Sequence, residues 1–171
     1  MKKIFRYIIV ASMFLMLVAC GKKDSEKAFD VKFKEFKEQV TKNGNEGLEN
    51  TKLLAKIFDK ATYKVNKVEE KGDSSELNVT VKAINLGKYV NEYIAAVTKK
   101  YGENIPADKQ EEFNQFSVDF FTNVLNDKNL EYVETEVNVQ MQKSKEGWII
   151  TNPNDIVSAT LGGAAVLLGL Q

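Results

Sequence analysis

The chain has 171 residues, carries 24 Lys and Arg against 24 Asp and Glu, and contains one cysteine and no histidine. This balanced charge argues against nucleic acid as a partner, because such binding requires a clustered excess of positive charge. The absence of histidine excludes imidazole acid–base catalysis, Ser-His and Cys-His nucleophiles and histidine metal ligands. We therefore expect no cofactor and no metal site, and any catalysis would depend on Asp, Glu, Lys or Tyr.

The first nineteen residues have the layout of an export signal. Lys2, Lys3 and Arg6 come before any acid, and an apolar run follows from residue 7 to residue 19. That run is shorter than the roughly 20 residues that a membrane-spanning helix needs. A cationic start before a short apolar run is typical of a secretory signal peptide. We expect residues 1–19 to be removed, which leaves a chain with three more acids than cations and no arginine.

The only cysteine follows this apolar run directly, in the sequence Leu17-Val18-Ala19-Cys20. A single thiol has no partner for an intrachain disulfide. The sequence resembles the lipobox of bacterial lipoproteins, and the resemblance implies that Cys20 takes a diacylglycerol and becomes the first residue after cleavage. Each buried methylene contributes about 0.8 kcal/mol, so two acyl chains hold a protein in a membrane far better than one. We expect a lipid anchor on Cys20 and a location on the extracytoplasmic face of the cell membrane.

Residues 20–25 are predicted to form the lipidated cysteine and a short tether. Within this tether, Lys22 and Lys23 either contact anionic lipid headgroups or belong to a solvated spacer. Four apolar positions then recur at helical spacing: Phe29, Phe33, Phe36 and Val40. This stripe predicts a helix from about Ser25 to Lys42 that ends at Gly44. A second helix is expected over residues 46–60, with an apolar side made of Leu54, Ile57, Phe58 and Ala61.

Two strands and two helices are predicted next. Residues 61–70 and 76–84 form an antiparallel hairpin around a turn at 71–74, because the second strand alternates apolar and polar side chains. A helix over residues 86–101 ends at Gly102. Asp108 and Glu111 have the spacing of a capping box, which predicts the start of another helix that runs to about residue 125.

The helix pair contains the first candidate ligand contacts, Tyr89 and Tyr93. These rings, with several phenylalanines of the second helix, could line an apolar pocket for a small ligand. Packing between the two helices explains the same residues without any ligand. Both interpretations stay open at this point.

A second hairpin is predicted from residues 130–143 and 148–152. Its long first strand places Tyr132, Glu134 and Glu136 on the outward face. The two carboxylates could bind a cation or act as an acid–base pair, as in glycoside hydrolysis. A solvated sheet face is the simpler interpretation, because polar side chains continue along the same face: Asn138, Gln140 and Gln142.

A last helix is predicted over residues 154–161, ending at Gly162-Gly163. The apolar residues that follow pack onto the core, enter the bilayer or meet another subunit, and we favour packing onto the core. The element order predicts a single α+β domain over residues 26–171. It has an antiparallel sheet of about four strands in two hairpins, packed on helices in a cone-like shape, with a helical pair between the hairpins.

The stretches "TYKV", "LNVTVKAI" and "VNVQMQKSKEGWII", together with the lipobox, are similar to those of small lipoproteins of low-GC bacteria. This resemblance implies a cystatin-like or nuclear-transport-factor-two-like cone and brings no assigned activity with it. The helical segment between the hairpins departs from the plainest form of that cone and leaves the strand order open.

We therefore predict a non-enzymatic binding or interaction module, anchored in the membrane through Cys20. Its ligand would be a protein, a cell-wall component or a small apolar molecule. One alternative is a carboxylate-dependent hydrolase of cell-envelope glycans that uses Glu134 and Glu136. The other is a small-molecule carrier with an apolar pocket beside Tyr89 and Tyr93.

Overall fold

The computed structural model describes residues 21–45 and 49–167, so the predicted export signal and Cys20 lie outside the described residues. In chain order the elements are helices α1 (Asp24–Asn45) and α2 (Glu49–Asp59), strands β1 (Thr62–Lys71) and β2 (Ser74–Ile84), helices α3 (Leu86–Tyr101) and α4 (Gln110–Asn126), strands β3 (Tyr132–Ser144) and β4 (Gly147–Ile150), and helices α5 (Pro153–Thr160) and α6 (Ala164–Leu167). Within these ranges, no helix has the length and apolar character that crossing a bilayer requires.

The strands form one antiparallel sheet in the order β1-β2-β3-β4. Strand β2 pairs with β3 without interruption from Ser74, opposite Gln142, to Ile84, opposite Tyr132. The predicted α+β class and both predicted hairpins are therefore confirmed, and the hairpins join edge to edge. The arm, by which we mean α3, α4 and their connection (residues 86–126), leaves the sheet after β2 and returns to it at β3.

One face of the sheet and two helices form the first core cluster. The predicted alternation is confirmed, because the inward side chains of the two central strands are buried: Leu77, Val79, Val81, Val137, Val139 and Met141. Helix α1 covers them with Phe29 and Phe33, whose side chains are 0% and 4% exposed, and α5 adds Ile156. Full burial of one such side chain stabilises the fold by about 1.5–3 kcal/mol.

A second cluster joins α2, the segment after α5 and the root of the arm, by which we mean the start of α3 and the end of α4, next to the sheet. Its buried members include Leu53, Leu86, Leu125 and Leu161, together with both alanines at the start of α6. The prediction that the chain after Gly162 packs onto the core is therefore confirmed as far as residue 165, and the last residues of the chain lie outside the described part.

Three local predictions were wrong. Helix α1 continues through Gly44 and ends at Asn45. In α2, Leu54 is 45% exposed and Leu53 is 8% exposed, because Leu53 and Ile57 lie about one turn apart on the side that meets the core. The capping box does not form, since Asp108 lies in a short 3₁₀ turn and α4 begins two residues later without a side-chain cap.

Candidate binding groove

A wide, open groove of about 970 Å³ lies between α1 and the first residues of β1. Apolar and aromatic side chains line it at Phe33, Ala61 and Tyr63. Polar and charged residues complete the lining: Asp30, Lys34, Lys37, Glu38, Thr41, Lys42, Asp59 and Thr62. Three lysines and three acids thus share the groove, which leaves its charges balanced.

Lys37 holds the wall of the groove in place. Its Nζ donates to the backbone oxygen of Asp59 at 2.6 Å and to that of Ala61 at 2.9 Å. These carbonyls lie at the end of α2 and the entry to β1, and a cation is favourable at the C-terminal end of a helix. The ammonium group is therefore committed to fixing α1 against its neighbours.

Asp30 and Tyr63 close the other end of the groove. The Tyr63 hydroxyl donates to Asp30 Oδ1 at 2.5 Å, and Lys22 Nζ lies 2.6 Å from Asp30 Oδ2. Partial burial acts to raise the pKa of the Asp30 carboxyl, but the hydrogen bonds from Lys22 and Tyr63 outweigh it and lower that pKa. Burial, followed by the hydrogen bond to Asp30, raises the pKa of Tyr63. At neutral pH, Asp30 is therefore an ionised carboxylate whose two oxygens already accept hydrogen bonds, and Tyr63 is a neutral phenol.

The outer wall of the groove is free to meet a ligand. Lys34 and Glu38 are 78% and 66% exposed and form a loose ion pair at 3.6 Å. Exposed pairs of this kind contribute about 0–1 kcal/mol, so a ligand can replace one partner at little cost. Charged side chains that can exchange their ion-pair partners, next to an aromatic surface, suit the binding of a polar polymer chain. The sequence pattern does not reveal this groove, because most of its residues belong to the polar side of α1 and have no special spacing.

The predicted contacts Tyr89 and Tyr93 have structural partners. Tyr89 is 6% exposed, and its hydroxyl accepts a hydrogen bond from the backbone N–H of Glu131 at 2.9 Å. The Tyr93 hydroxyl lies 2.6 Å from Ser117 Oγ, and its ring packs against three rings of α4 at 5.2–6.3 Å. Neither tyrosine lines the groove, and their contacts agree with the packing interpretation; the carrier alternative stays a prediction.

Tyr132, Glu134 and Glu136 are exposed on the outer face of β3, as their alternation indicates. Glu134 lies opposite Lys82 on β2, and Lys82 Nζ stands 5.3 Å from the centre of the Tyr132 ring. Among residues 21–45 and 49–167, no group of three acids or cysteines is placed to hold a metal ion. Glu134 therefore faces solvent and a lysine, whereas Glu136 lies opposite Thr80 and lines an open concavity of about 450 Å³ together with Asp155 of α5. The hydrolase alternative stays a prediction.

A row of amides occupies the middle of this outer face. Asn66 donates to Asn78 Oδ1 at 2.9 Å, and Asn78 donates to Asn138 Oδ1 at 3.0 Å. The row crosses β1, β2 and β3, so these amides satisfy one another across the sheet. They reinforce strand pairing and leave the groove as the better candidate for ligand binding.

The fold therefore defines the chain as an α+β domain with a four-stranded antiparallel sheet and a helical arm inserted between its central strands. Comparison of the chain with protein-family models, curated proteins and solved structures found no match.

Proposed function

We propose that this chain is an extracytoplasmic lipoprotein, anchored in the cell membrane through acyl chains on Cys20, whose domain acts as a non-enzymatic binding module. The observation that carries the proposal is the sequence Leu17-Val18-Ala19-Cys20 after a short apolar run. The first helix begins at Asp24, so the folded domain follows the anchor almost at once.

The groove between α1 and β1 is the proposed binding site. Its lining contains no cysteine or histidine. Two of its polar side chains, Lys37 and Asp30, already form hydrogen bonds within the domain. The exposed pair Lys34 and Glu38, with Lys42, remains available to a ligand. This arrangement favours a polar chain that carries both charges, such as a peptide or the peptide part of a cell-wall polymer.

The anchor is tested on protein isolated from membranes. We expect mass spectrometry of the N-terminal peptide to show Cys20 as the first residue with a diacylglycerol on its sulfur. We expect a Cys20→Ser variant to lose that mass and to leave the membrane fraction. An uncut leader or an unmodified thiol would contradict the proposal.

The binding site is tested by photo-crosslinking in cells. A photoreactive amino acid at Thr41, in the groove wall, should give a discrete adduct, whereas the same amino acid at Lys82, on the exposed outer face of the sheet, should not. Reversing the charge of Lys34 and Lys42 together should remove the Thr41 adduct. Glycan hydrolysis by the purified protein that disappears in a Glu134→Gln variant would overturn the non-enzymatic assignment.

A further inference from the structure

The residues that follow the proposed anchor are fastened to the domain. Lys22 Nζ lies 2.6 Å from Asp30 Oδ2 and 3.7 Å from Glu26 Oε1, both on α1. Lys23 Nζ donates to the backbone oxygen of Val68 on β1 at 3.0 Å. Headgroup contact and a solvated spacer were the two interpretations of these lysines; both side chains contact the folded body and also remain exposed, so headgroup contact stays a prediction. Only Gly21 then separates Cys20 from a residue that is held.

The start of α1 is fixed by a buried cluster. The backbone N–H and the hydroxyl of Ser25 both donate to Glu70 Oε2, at 3.0 and 2.6 Å. The Ser75 hydroxyl donates to Ser25 Oγ at 2.8 Å, and these serines are 0% and 4% exposed. A carboxylate that accepts from the first turn of a helix satisfies an otherwise unpaired donor and complements the helix dipole. The helix therefore cannot swing relative to the β1–β2 hairpin.

The same cluster identifies which end of the domain carries the anchor. Glu70 and Ser75 flank the β1–β2 turn at Gly72-Asp73. The backbone N–H of Lys143 donates to the Asp73 oxygen at 2.8 Å, which brings the β3–β4 turn beside the first one. Lys22 and Lys23, which directly precede α1, therefore lie at this turn end of the sheet. Two residues of chain span at most about 7 Å, so an anchor on Cys20 would hold this end close to the lipid surface.

The groove extends toward the other end. Helix α1 rises about 1.5 Å per residue, so Lys42 lies roughly 27 Å along the helix from Asp24. Ala61 and Thr62, which line the groove beside it, open β1 at the end of the sheet away from the turns. Strand β3 is 13 residues long, and at about 3.3 Å per residue it separates the two ends by roughly 40 Å.

We propose that the domain is mounted on the bilayer in one fixed orientation, with the turn end of the sheet against the lipid headgroups and the groove open on the side away from the membrane. This inference rests on the lipid anchor at Cys20 that is proposed above. A rigid mount presents the groove outward, where a partner approaching from outside the cell meets it first. The lipid surface is thus a second contact of the domain, made by the residues of both turns.

The test uses the full-length lipidated protein in phosphatidylcholine vesicles that contain some phosphatidylglycerol and some nitroxide-headgroup lipid. Lys145→Cys, in the β3–β4 turn, and Lys128→Cys, in the loop before β3, make a matched pair, since each replaces an exposed lysine in a loop. Because Cys20 is acylated, the introduced thiol is the only one available for a fluorophore. We expect the nitroxide to quench the label at position 145 several-fold more than the label at position 128.

A second variant tests whether the orientation depends on the short tether and not on the fold of the domain. A long Gly-Ser linker inserted between Gly21 and Lys22 leaves every described hydrogen bond in place but frees the domain to rotate. With this linker we expect the two quenching values to converge while the thermal unfolding midpoint stays the same.

Equal quenching at both positions in lipidated, vesicle-bound protein would overturn the fixed orientation and leave the anchor intact. A contrast that survives the linker would overturn the role of the fastened tether. Protein that carries no acyl chain on Cys20 and does not float with vesicles would overturn the anchor itself, and the orientation with it. Mass spectrometry and flotation distinguish that last result from the first two.

Discussion

Helix α1 and the arm are both rich in aromatic side chains at helical spacing, yet they are packed differently. In α1, Phe29 and Phe33 are 0% and 4% exposed because the sheet closes over them. In the arm, the buried residues of the two helices are Leu86, Tyr89 and Leu125, all at the root. The rings farther out pack mainly against one another, as Tyr93 does with Phe120 at 5.4 Å. The same periodic pattern therefore describes a core helix in one place and a self-packed pair of helices in the other.

The largest loss of stability should come from a substitution in the core helix α1. Phe29→Ala removes a fully buried ring that packs against Phe33 and, edge-on at 5.1 Å, against Tyr63. We expect a loss of about 3–5 kcal/mol in the free energy of unfolding, because the sheet cannot collapse into the space. Urea unfolding followed by circular dichroism measures it. A loss below 1 kcal/mol would show that α1 is not a core helix.

The root of the arm should be nearly as sensitive. Gly162 has φ +53°, and a Cβ there would lie 1.7 Å from the backbone oxygen of Ile84, so Gly162→Ala forces backbone to move. We expect a loss on the order of 3 kcal/mol. Gly72→Ala is the matched control, since Gly72 has a similar φ of +59° but has nothing within 4 Å, and it should cost only about 1–2 kcal/mol. Equal losses would contradict the close approach.

A smaller and more local effect is expected in the outer arm. Phe120→Ala removes contacts with Tyr93, Phe116 and Phe121 in a half-buried setting. We expect a loss of about 1–2 kcal/mol. Amide exchange should accelerate in α3 and α4 and stay unchanged in β2 and β3. Faster exchange throughout the sheet would mean that the outer arm is part of the main core.

The smallest expected effect depends on pH and concerns the start of α1. Hydrogen bonds from the Ser25 hydroxyl and backbone N–H lower the pKa of Glu70. Its ionised form therefore contributes stability that is present above about pH 4.3, the ordinary value for a glutamate, and is lost as the pH falls through the lowered pKa.

Glu70→Gln should cost about 1 kcal/mol at pH 7, as other helix caps do. Urea midpoints measured from pH 7 to pH 2 should show the two proteins converging in acid. A gap that stays constant with pH would mean that the charge of Glu70 plays no part.

The sequence was sufficient to predict two antiparallel hairpins but not the order of the strands, because alternation in β2 and β3 has one physical meaning: one face meets a core and the other meets water. Leu53 and Leu54 show where such reasoning stops. Both leucines fit a helix, and only the position of α2 against α1 and the arm decides which one is buried. Pattern alone cannot supply that choice.

The groove could not be predicted for a similar reason. Its polar wall is ordinary for a helix surface, and it becomes a binding surface only because Lys37 ties α1 to the end of α2 and the start of β1. The outward position of Glu134 and Glu136 was predicted correctly, but their neighbours depend on which strand lies beside β3. Lys82 lies opposite Glu134, and Thr80 lies opposite Glu136.

The segments that lead into and out of the arm are paired with each other at the end of the sheet. Ile84 lies opposite Tyr132, and the backbone N–H of Asn85 donates to the backbone oxygen of Glu131 at 3.0 Å. Insertions or deletions at the tip of the arm therefore leave the register between β2 and β3 unchanged. The outer turns of α3 and α4 form a part of the molecule whose length can vary between otherwise identical scaffolds.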